Sequence, residues 1–321
     1  MHFRLEDLRR WRRAAAPGLA LLALGLLAAG AGCARSRGAA DAGAPREVRY
    51  ALHGRIVAVN RGRGTLTVSH EAIPGFMPAM TMEFAAADGD LAAVHPDERI
   101  RADLVRRGDD FRLEDIWPDD RIPAARVAAA ANALRQDTAA RGRGAYREIG
   151  ERMPDFALYD ENGQVVEAGR FRGREIVLNF IYTRCPIATM CPAATERMVE
   201  VQRKARAAGV TDLQLISITL DPEHDTPGVL QAYARAHGID TANFSLLTGP
   251  EPAIRDLLAQ FGVLAEFQDG LIRHTLATLL IDAEGRIVHR ADGSEWTADE
   301  FVERMRRGPA ESPSVTAAAD R

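Results

Sequence analysis

The segment EIVLNFIY (Glu175–Tyr182) is apolar at nearly every position, without the alternation of a half-exposed strand. A strand of that kind is covered on both faces and belongs in the middle of a largely parallel sheet. Parallel neighbours cannot be joined by a tight hairpin, so crossover helices must follow. The sequence supplies them. Ala194, Met198, Val201, Ala205 and Ala208 recur on one helical face, Pro192 suits the first helical position, and Gly209 stops the helix. DLQLISITL (Asp212–Leu220) is the next buried strand, and Thr226-Pro227 opens a helix that runs to Gly238. FSLL, the helix EPAIRDLLAQFG, the strand TLATLLID, a turn at Asp282–Gly285 and the strand RIVHR come next. Thr297-Ala298-Asp299-Glu300 is a capping box for a last helix. The order βαβα(β)αββα over residues 150–308 predicts an α/β sandwich.

That order suits a thioredoxin-like domain. Upstream, residues 47–118 predict a small all-β domain. HGRIVAVN and GTLTVSH alternate around a turn at Arg61–Gly64, and MTMEF, RIRADLV and DFRLEDI add three short strands. Five short strands with tight turns predict a closed, OB-like barrel. Residues 119–149 are rich in Ala and Arg and read as a linker with room for one helix, AARVAAAANALR, ended near Gly142 and Gly144. Residues 309–321 read as a disordered tail.

The N-terminus predicts export. Arg9-Arg10-Trp11-Arg12-Arg13 precedes APGLALLALGLLAAGAGC, an apolar run too short for a comfortable span that ends in small residues. Cys33 after Gly30-Ala31-Gly32 resembles a bacterial lipoprotein cleavage box, so residues 1–32 read as a signal peptide, Cys33 as a lipidated mature N-terminus and 33–46 as a tether. An ordinary signal peptide with an incidental cysteine is the alternative. The formal net charge of -4 becomes more negative once the arginine-rich leader is set aside, which gives no electrostatic reason to expect nucleic acid.

Export places the thiols in an oxidising setting. With Cys33 acylated, Cys185 and Cys191 remain of the three cysteines, in YTRCPIATMCP with five residues between them. One follows a central strand and the other stands at the N-cap of the next helix, where ligands of open α/β sheets gather. The helix dipole and Arg184 favour thiolate there. A structural disulfide, a redox pair and a metal grip are all open on these residues alone. Thioredoxin-type exchangers use two intervening residues and a cis-proline, and no proline occurs between Pro252 and Pro309. At the corresponding place, opening TLATLLID, stands His274. Two thiolates and an imidazole suit Cu(I), while tetrahedral zinc wants a fourth ligand.

FIYTRCPIATMCP, ITLDPEHDTP and RHTLATLLIDAEGRIV, in that order, resemble the Sco/SenC family of copper chaperones. The resemblance implies a thioredoxin-like fold and a part in assembling the CuA centre of cytochrome c oxidase. It places metal ligands on Cys185, Cys191 and His274, with Asp221 as an auxiliary and Asp225 later in the same stretch. The family spacing is three residues between the cysteines rather than five. Met190 offers a soft auxiliary ligand or a packed side chain, and His224 an exposed turn residue.

SHEAIPGFMPAMTMEF places three of the eight methionines, Met77, Met80 and Met82, within six residues, and His70 ends the strand before them. Met80 and Met82 flank Thr81, so both thioethers point to one face of a strand. Thioethers with an imidazole favour Cu(I) or Ag(I); core packing by adaptable methionines is the plain alternative. Residues 50–118 resemble the periplasmic copper- and silver-binding protein CusF, with ligands falling on His70, Met80 and Met82. That family's capping tryptophan is replaced here by Met77, beside Phe76. With the N-terminal export signal and Cys33, the two resemblances imply an exported, membrane-anchored copper metallochaperone that holds Cu(I), with Cu(II) as a second state, and passes it to an acceptor such as an oxidase subunit. A thiol–disulfide reductase using Cys185 and Cys191 as a redox pair, served by a thiol reductant, and a periplasmic copper buffer are the alternatives.

Overall fold

A computed structural model describes residues 47–268 and 271–307 of the chain. All of these lie in one unit, Pro45–Arg321. The leader, Cys33, the tether and the tail predicted above lie outside the described residues. Among those described, no helix is long and apolar enough to cross a membrane.

The predicted barrel is present. Strands β1 (Glu47–Asn60), β2 (Thr65–His70) and β3 (Met80–Ala85) precede a short helix α1 (Asp88–Ala93), then β4 (Arg99–Arg107) and β5 (Asp110–Pro118), closed in the order β1-β2-β3-β5-β4. Closure removes both sheet edges. β1 is long enough to serve two neighbours: its first part pairs with β4 (Glu47↔Arg107 to Arg55↔Arg99) and its second with β2 (Gly54↔His70 to Asn60↔Thr65). Gly54 stands where these pairings overlap. A Cβ there would lie 2.7 Å from Val68 Cγ1 and 2.9 Å from Ser69 O, so only glycine fits. Leu52, Ile56, Leu66, Val68, Phe84 and Leu104 fill the interior, each at most 1% exposed.

The segment read as a linker is largely helix α2 (Arg121–Arg141), and it is packed rather than free. Leu134 is buried in the main core of the following domain. Gln260 Nε2 donates to Asp137 Oδ2 (2.9 Å) and Thr138 Oγ1 (3.0 Å), and Arg147 joins Gln260 Oε1 (2.7 Å) and Asp137 (2.5 Å).

Residues beyond α2 form the thioredoxin-like sandwich. A small hairpin, β6 (Ala157–Tyr159) and β7 (Val165–Glu167), and a 3-10 turn at Ala168–Phe171 lead into β8 (Glu175–Ile181). Then come α3 (Cys191–Ala207), β9 (Leu213–Thr219), α4 (Pro227–Ala236), β10 (Phe244–Leu247) and α5 (Glu251–Gln260). A second hairpin, β11 (Ala265–Gln268) and β12 (Leu271–His274), precedes β13 (Ala277–Ile281), β14 (Ile287–Asp292) and α6 (Ala298–Arg307). The main sheet runs β10-β9-β8-β13-β14, with β8, β9 and β10 parallel and β13 antiparallel to β8. β8 is central and covered on both sides, as its composition demands. Leu178 and Phe180 face α2, α4 and α5, while Val177 faces α3 and α6.

Two details differ from expectation. Ala208 is the exposed C-cap of α3 rather than part of its buried face, because the helix has already ended at Ala207. His274 does not open β13; it ends β12, in a hairpin that short apolar runs did not announce.

The barrel and the sandwich touch. The Trp117 ring at the end of β5 meets Tyr159 of β6 edge-on at 6.2 Å, and these two share a buried cluster with Val127 of α2 and Ala157. α1 packs against α4.

Candidate metal centre

β8 delivers Tyr182, Thr183, Arg184 and Cys185 to the carboxyl edge of the sheet, and the loop to Cys191 closes with Met190 N donating to Ile187 O (3.0 Å). Five residues fit between the cysteines because this turn takes up the extra length. Met190, half-buried, caps α3, and Cys191 is its first residue. The loop is pinned from the other side by the turn Asp221–Thr226. Asp225, fully buried, accepts hydrogen bonds from Thr183 N (3.2 Å), Thr183 Oγ1 (2.5 Å) and Thr219 Oγ1 (2.5 Å). Asp221 Oδ2 is held by Arg184 Nε at 2.6 Å.

Cys191 Sγ and His274 Nε2 lie 3.7 Å apart. His274 Nδ1 is 3.1 Å from Thr275 O, which accepts and so fixes the proton on Nδ1. The Nε2 lone pair then faces the sulfur. Burial lowers the His274 pKa, against a smaller opposing pull from the Thr275 carbonyl, so the ring is neutral at physiological pH. Tyr182 packs edge-on to the imidazole at 5.7 Å.

The thiols are not equivalent. Burial raises the Cys185 pKa, but hydrogen bonds from the backbone of Cys191 and Ile187 and from the side chains of Tyr182 and Cys191 outweigh it, and the net shift is downward. Burial pushes Cys191 up to about 12, with the neighbouring Cys185 adding to it. Both carry free sulfurs.

Of the four predicted residues, Cys191 and His274 are in direct contact, and Cys185 adjoins Cys191 through its hydrogen bonds. Asp221 is committed to Arg184, and Arg184 is correspondingly not what favours the Cys185 thiolate; a buried carboxylate without a cation would be costly. Among the described residues, no three His, Cys, Asp or Glu side chains stand arranged to hold a metal ion. His224 is exposed, as expected. Sequence reasoning overlooked Tyr182, Thr183 and Thr219. The signal was there: a hydroxyl residue ends each of two otherwise apolar strands, opposite a buried Asp.

The second predicted set lies at one end of the barrel. Leu66↔Phe84, Val68↔Met82 and His70↔Met80 are successive inward pairs across β2 and β3. They grade from fully buried Phe84 to Met80, 47% exposed. Met77 closes the intervening loop through Ile73 and packs on the barrel core. His70 is 3% exposed; its Nδ1 donates to Glu71 O (2.7 Å), and its buried Nε2 has no hydrogen-bond partner. An unpaired, buried imidazole nitrogen on a residue paired across the strands with Met80 has the chemistry of a soft-metal ligand. Phe76 stacks on Tyr50 at 4.2 Å rather than lying alone as a lid. A cavity of about 720 Å³ between α2 and the 3-10 turn is lined by none of the predicted site residues.

Comparison with known proteins matches residues 145–308 to the SCO1/SenC family model and residues 49–118 to the model of the copper binding periplasmic protein CusF. An SCO2-like protein of Rickettsia typhi is 31% identical over 140 residues, covering 41% of this chain and 66% of the relative. An SCO1 protein homolog of Bacillus subtilis is 27% identical over 146 residues, covering 44% and 74%. A solved SCO1/SenC family lipoprotein from Bacillus anthracis is 26% identical with a TM-score of 0.47, covering 52% of this chain and all of that one. The match thus spans just under two thirds of the Rickettsia relative's own length.

Proposed function

The chain belongs to the SCO1/SenC family, and from that premise we propose that it is an exported copper metallochaperone with two Cu(I) sites. Copper is its cargo. Cys185, Cys191 and His274 form the tighter site, and His70, Met77, Met80 and Met82 the second. Cys33 anchors the chain by a lipid, and the acceptor is a copper-accepting protein, the CuA-bearing subunit of cytochrome c oxidase. The observation that carries the reading is the 3.7 Å contact between Cys191 Sγ and the unprotonated nitrogen of His274, with Cys185 on the same loop. Cys185 would have to join that pair to complete the site. Asp221 serves this site by holding Arg184 rather than by binding metal. Thiolates bind copper after losing their protons, so loading releases protons, chiefly from Cys191.

Anaerobic titration of reduced protein with Cu(I) tests this. Two equivalents should bind, one to each domain. Cys185→Ser with Cys191→Ser should remove one and leave the other, while Met80→Ala with Met82→Ala should do the reverse. Two sites surviving the double cysteine change would overturn the assignment.

The unlike thiols favour a second reading, a thiol–disulfide reductase for the acceptor's cysteines. The Cys185 thiolate would attack an acceptor disulfide, and Cys191 would resolve the mixed disulfide. The acceptor then gains two electrons and two protons, and Cys185–Cys191 is left oxidised for an external thiol reductant to restore. Under this reading Cys191→Ser traps a mixed disulfide and His274→Ala keeps full activity. Under the first, His274→Ala weakens copper binding and no covalent adduct accumulates.

A further inference from the structure

Three glycines stand where the barrel meets the sandwich. A Cβ on Gly89 of α1 would lie 2.1 Å from Gly228 O. One on Gly228 of α4 would lie 2.0 Å from Asp90 Oδ1 and 2.8 Å from Asp90 Cα. At the β6–β7 turn, a Cβ on Gly163 would lie 3.0 Å from Pro118 Cγ. At the first two positions backbone rests on backbone, and no side chain of any kind is accommodated. Gly228 is the second residue of α4, two residues after Thr226, whose hydroxyl caps the helix through Val229 N (3.4 Å). Thr226 ends the same turn whose Asp225 holds Thr183 and whose Asp221 holds Arg184. Thr183 and Arg184 immediately precede Cys185.

We propose that α1 of the barrel docks on the N-terminus of α4 through the Gly89–Gly228 contact, and thereby holds the Asp221–Thr226 turn that positions the cysteine loop. The barrel is then a support for the thiol site as well as a domain with a site of its own. The path is short and made of rigid parts: helix backbone, helix cap, and a buried carboxylate with three hydroxyl or amide donors. Coupling along this path is read by perturbing one end and following the other.

The test uses the full chain, reduced, metal-free and anaerobic. Gly89→Ala adds one methyl against Gly228 O while favouring helix in α1, so the barrel itself is not weakened. Gly228→Ala adds the same wedge from the other side. Gly62→Ala, whose Cβ would meet nothing nearer than Asn60 Oδ1 at 3.7 Å, is the control. Hydrogen exchange reports on α1 and on residues 221–226, and the rate of iodoacetamide alkylation reports on Cys185. Either wedge should speed exchange in both segments and raise the alkylation rate by about twofold to thirtyfold, the range over which remote substitutions alter coupling. The control should match the unaltered chain. Faster exchange in α1 with an unchanged turn and unchanged Cys185 refutes the coupling, and no change anywhere refutes the interface. Should one wedge fail to fold by far-ultraviolet circular dichroism, the other decides.

Discussion

Cys185 and Cys191 share a loop but not an environment, and their chemistry should separate accordingly. Thiolate is the reactive form, so the thiol held down by hydrogen bonds and half exposed should react before the one burial pushes up to about 12. In reduced, metal-free protein at pH 7.5, iodoacetamide should modify Cys185 more than about tenfold faster than Cys191, the lower nucleophilicity of a low-pKa thiolate offsetting only part of the difference. Peptide mapping of a time course reads this directly, and equal labelling would contradict the assigned environments. The candidate ligands were legible in the sequence because soft-metal side chains are scarce: two cysteines beyond Cys33, two histidines at strand ends, three clustered methionines. What Arg184 does was not legible. Adjacency suggested that it faces Cys185, yet side-chain direction is decided by where an uncompensated charge lies, and that charge is on Asp221.

Elements were read well where periodicity was strong and poorly where burial came from few side chains. β8 and β9 declared themselves as nearly continuous apolar runs, and α3 by its one-sided pattern. α2 is mostly alanine and arginine, so nothing in its sequence separates a spacer from a packed helix; two apolar contacts, Val127 and Leu134, and the bonds of Gln260 decide it. Leu134→Ala should therefore cost about 2–4 kcal/mol, measured by urea unfolding, whereas a free linker would lose almost nothing. The β6–β7 hairpin shows the same economy. Glu161, 2% exposed, accepts from Leu246 N (3.1 Å) and Asn162 Nδ2 (2.9 Å), tying the hairpin to edge strand β10. Burial, with Asp160 beside it, raises its pKa from 4.5 to about 7. The native state then holds a proton that the unfolded chain releases from about pH 4.5 upward, so this group's contribution to stability falls as pH rises towards 7 and is lost above it. Glu161→Gln keeps an acceptor for Leu246 N without the charge. Its stability relative to the unaltered chain should climb between pH 5 and pH 8, reaching about 3 kcal/mol, as followed by denaturant midpoints across that range. A pH-independent difference would rule out the buried carboxyl as the cause.

At the scale of the whole molecule, two family models on one chain suggest beads on a string, and the interface argues otherwise. A barrel on a free connector would sample a volume set by linker length and meet the thiol site at an effective concentration. Here α2 is folded into the sandwich, Trp117 is buried between domains with Arg101 over its ring at 5.2 Å, and α1 rests on α4. A domain so held does not carry cargo by swinging. Under the two-site reading proposed above, copper leaving the Met80 end would have to travel by another route, or the two sites would be loaded separately. Trp117 is 7% exposed and touches Tyr159, so its removal takes away the largest apolar side chain of the contact without altering either candidate site. Trp117→Ala should cost about 3–5 kcal/mol. It should also turn one calorimetric transition into two, because domains that shared a buried cluster would then unfold independently. Cu(I) stoichiometry should stay unchanged in the folded variant, which separates loss of docking from loss of the sites. Two transitions already present in the unaltered chain would mean that the contact contributes too little to join the domains, and a swinging barrel would again be the better description of how this chain moves metal.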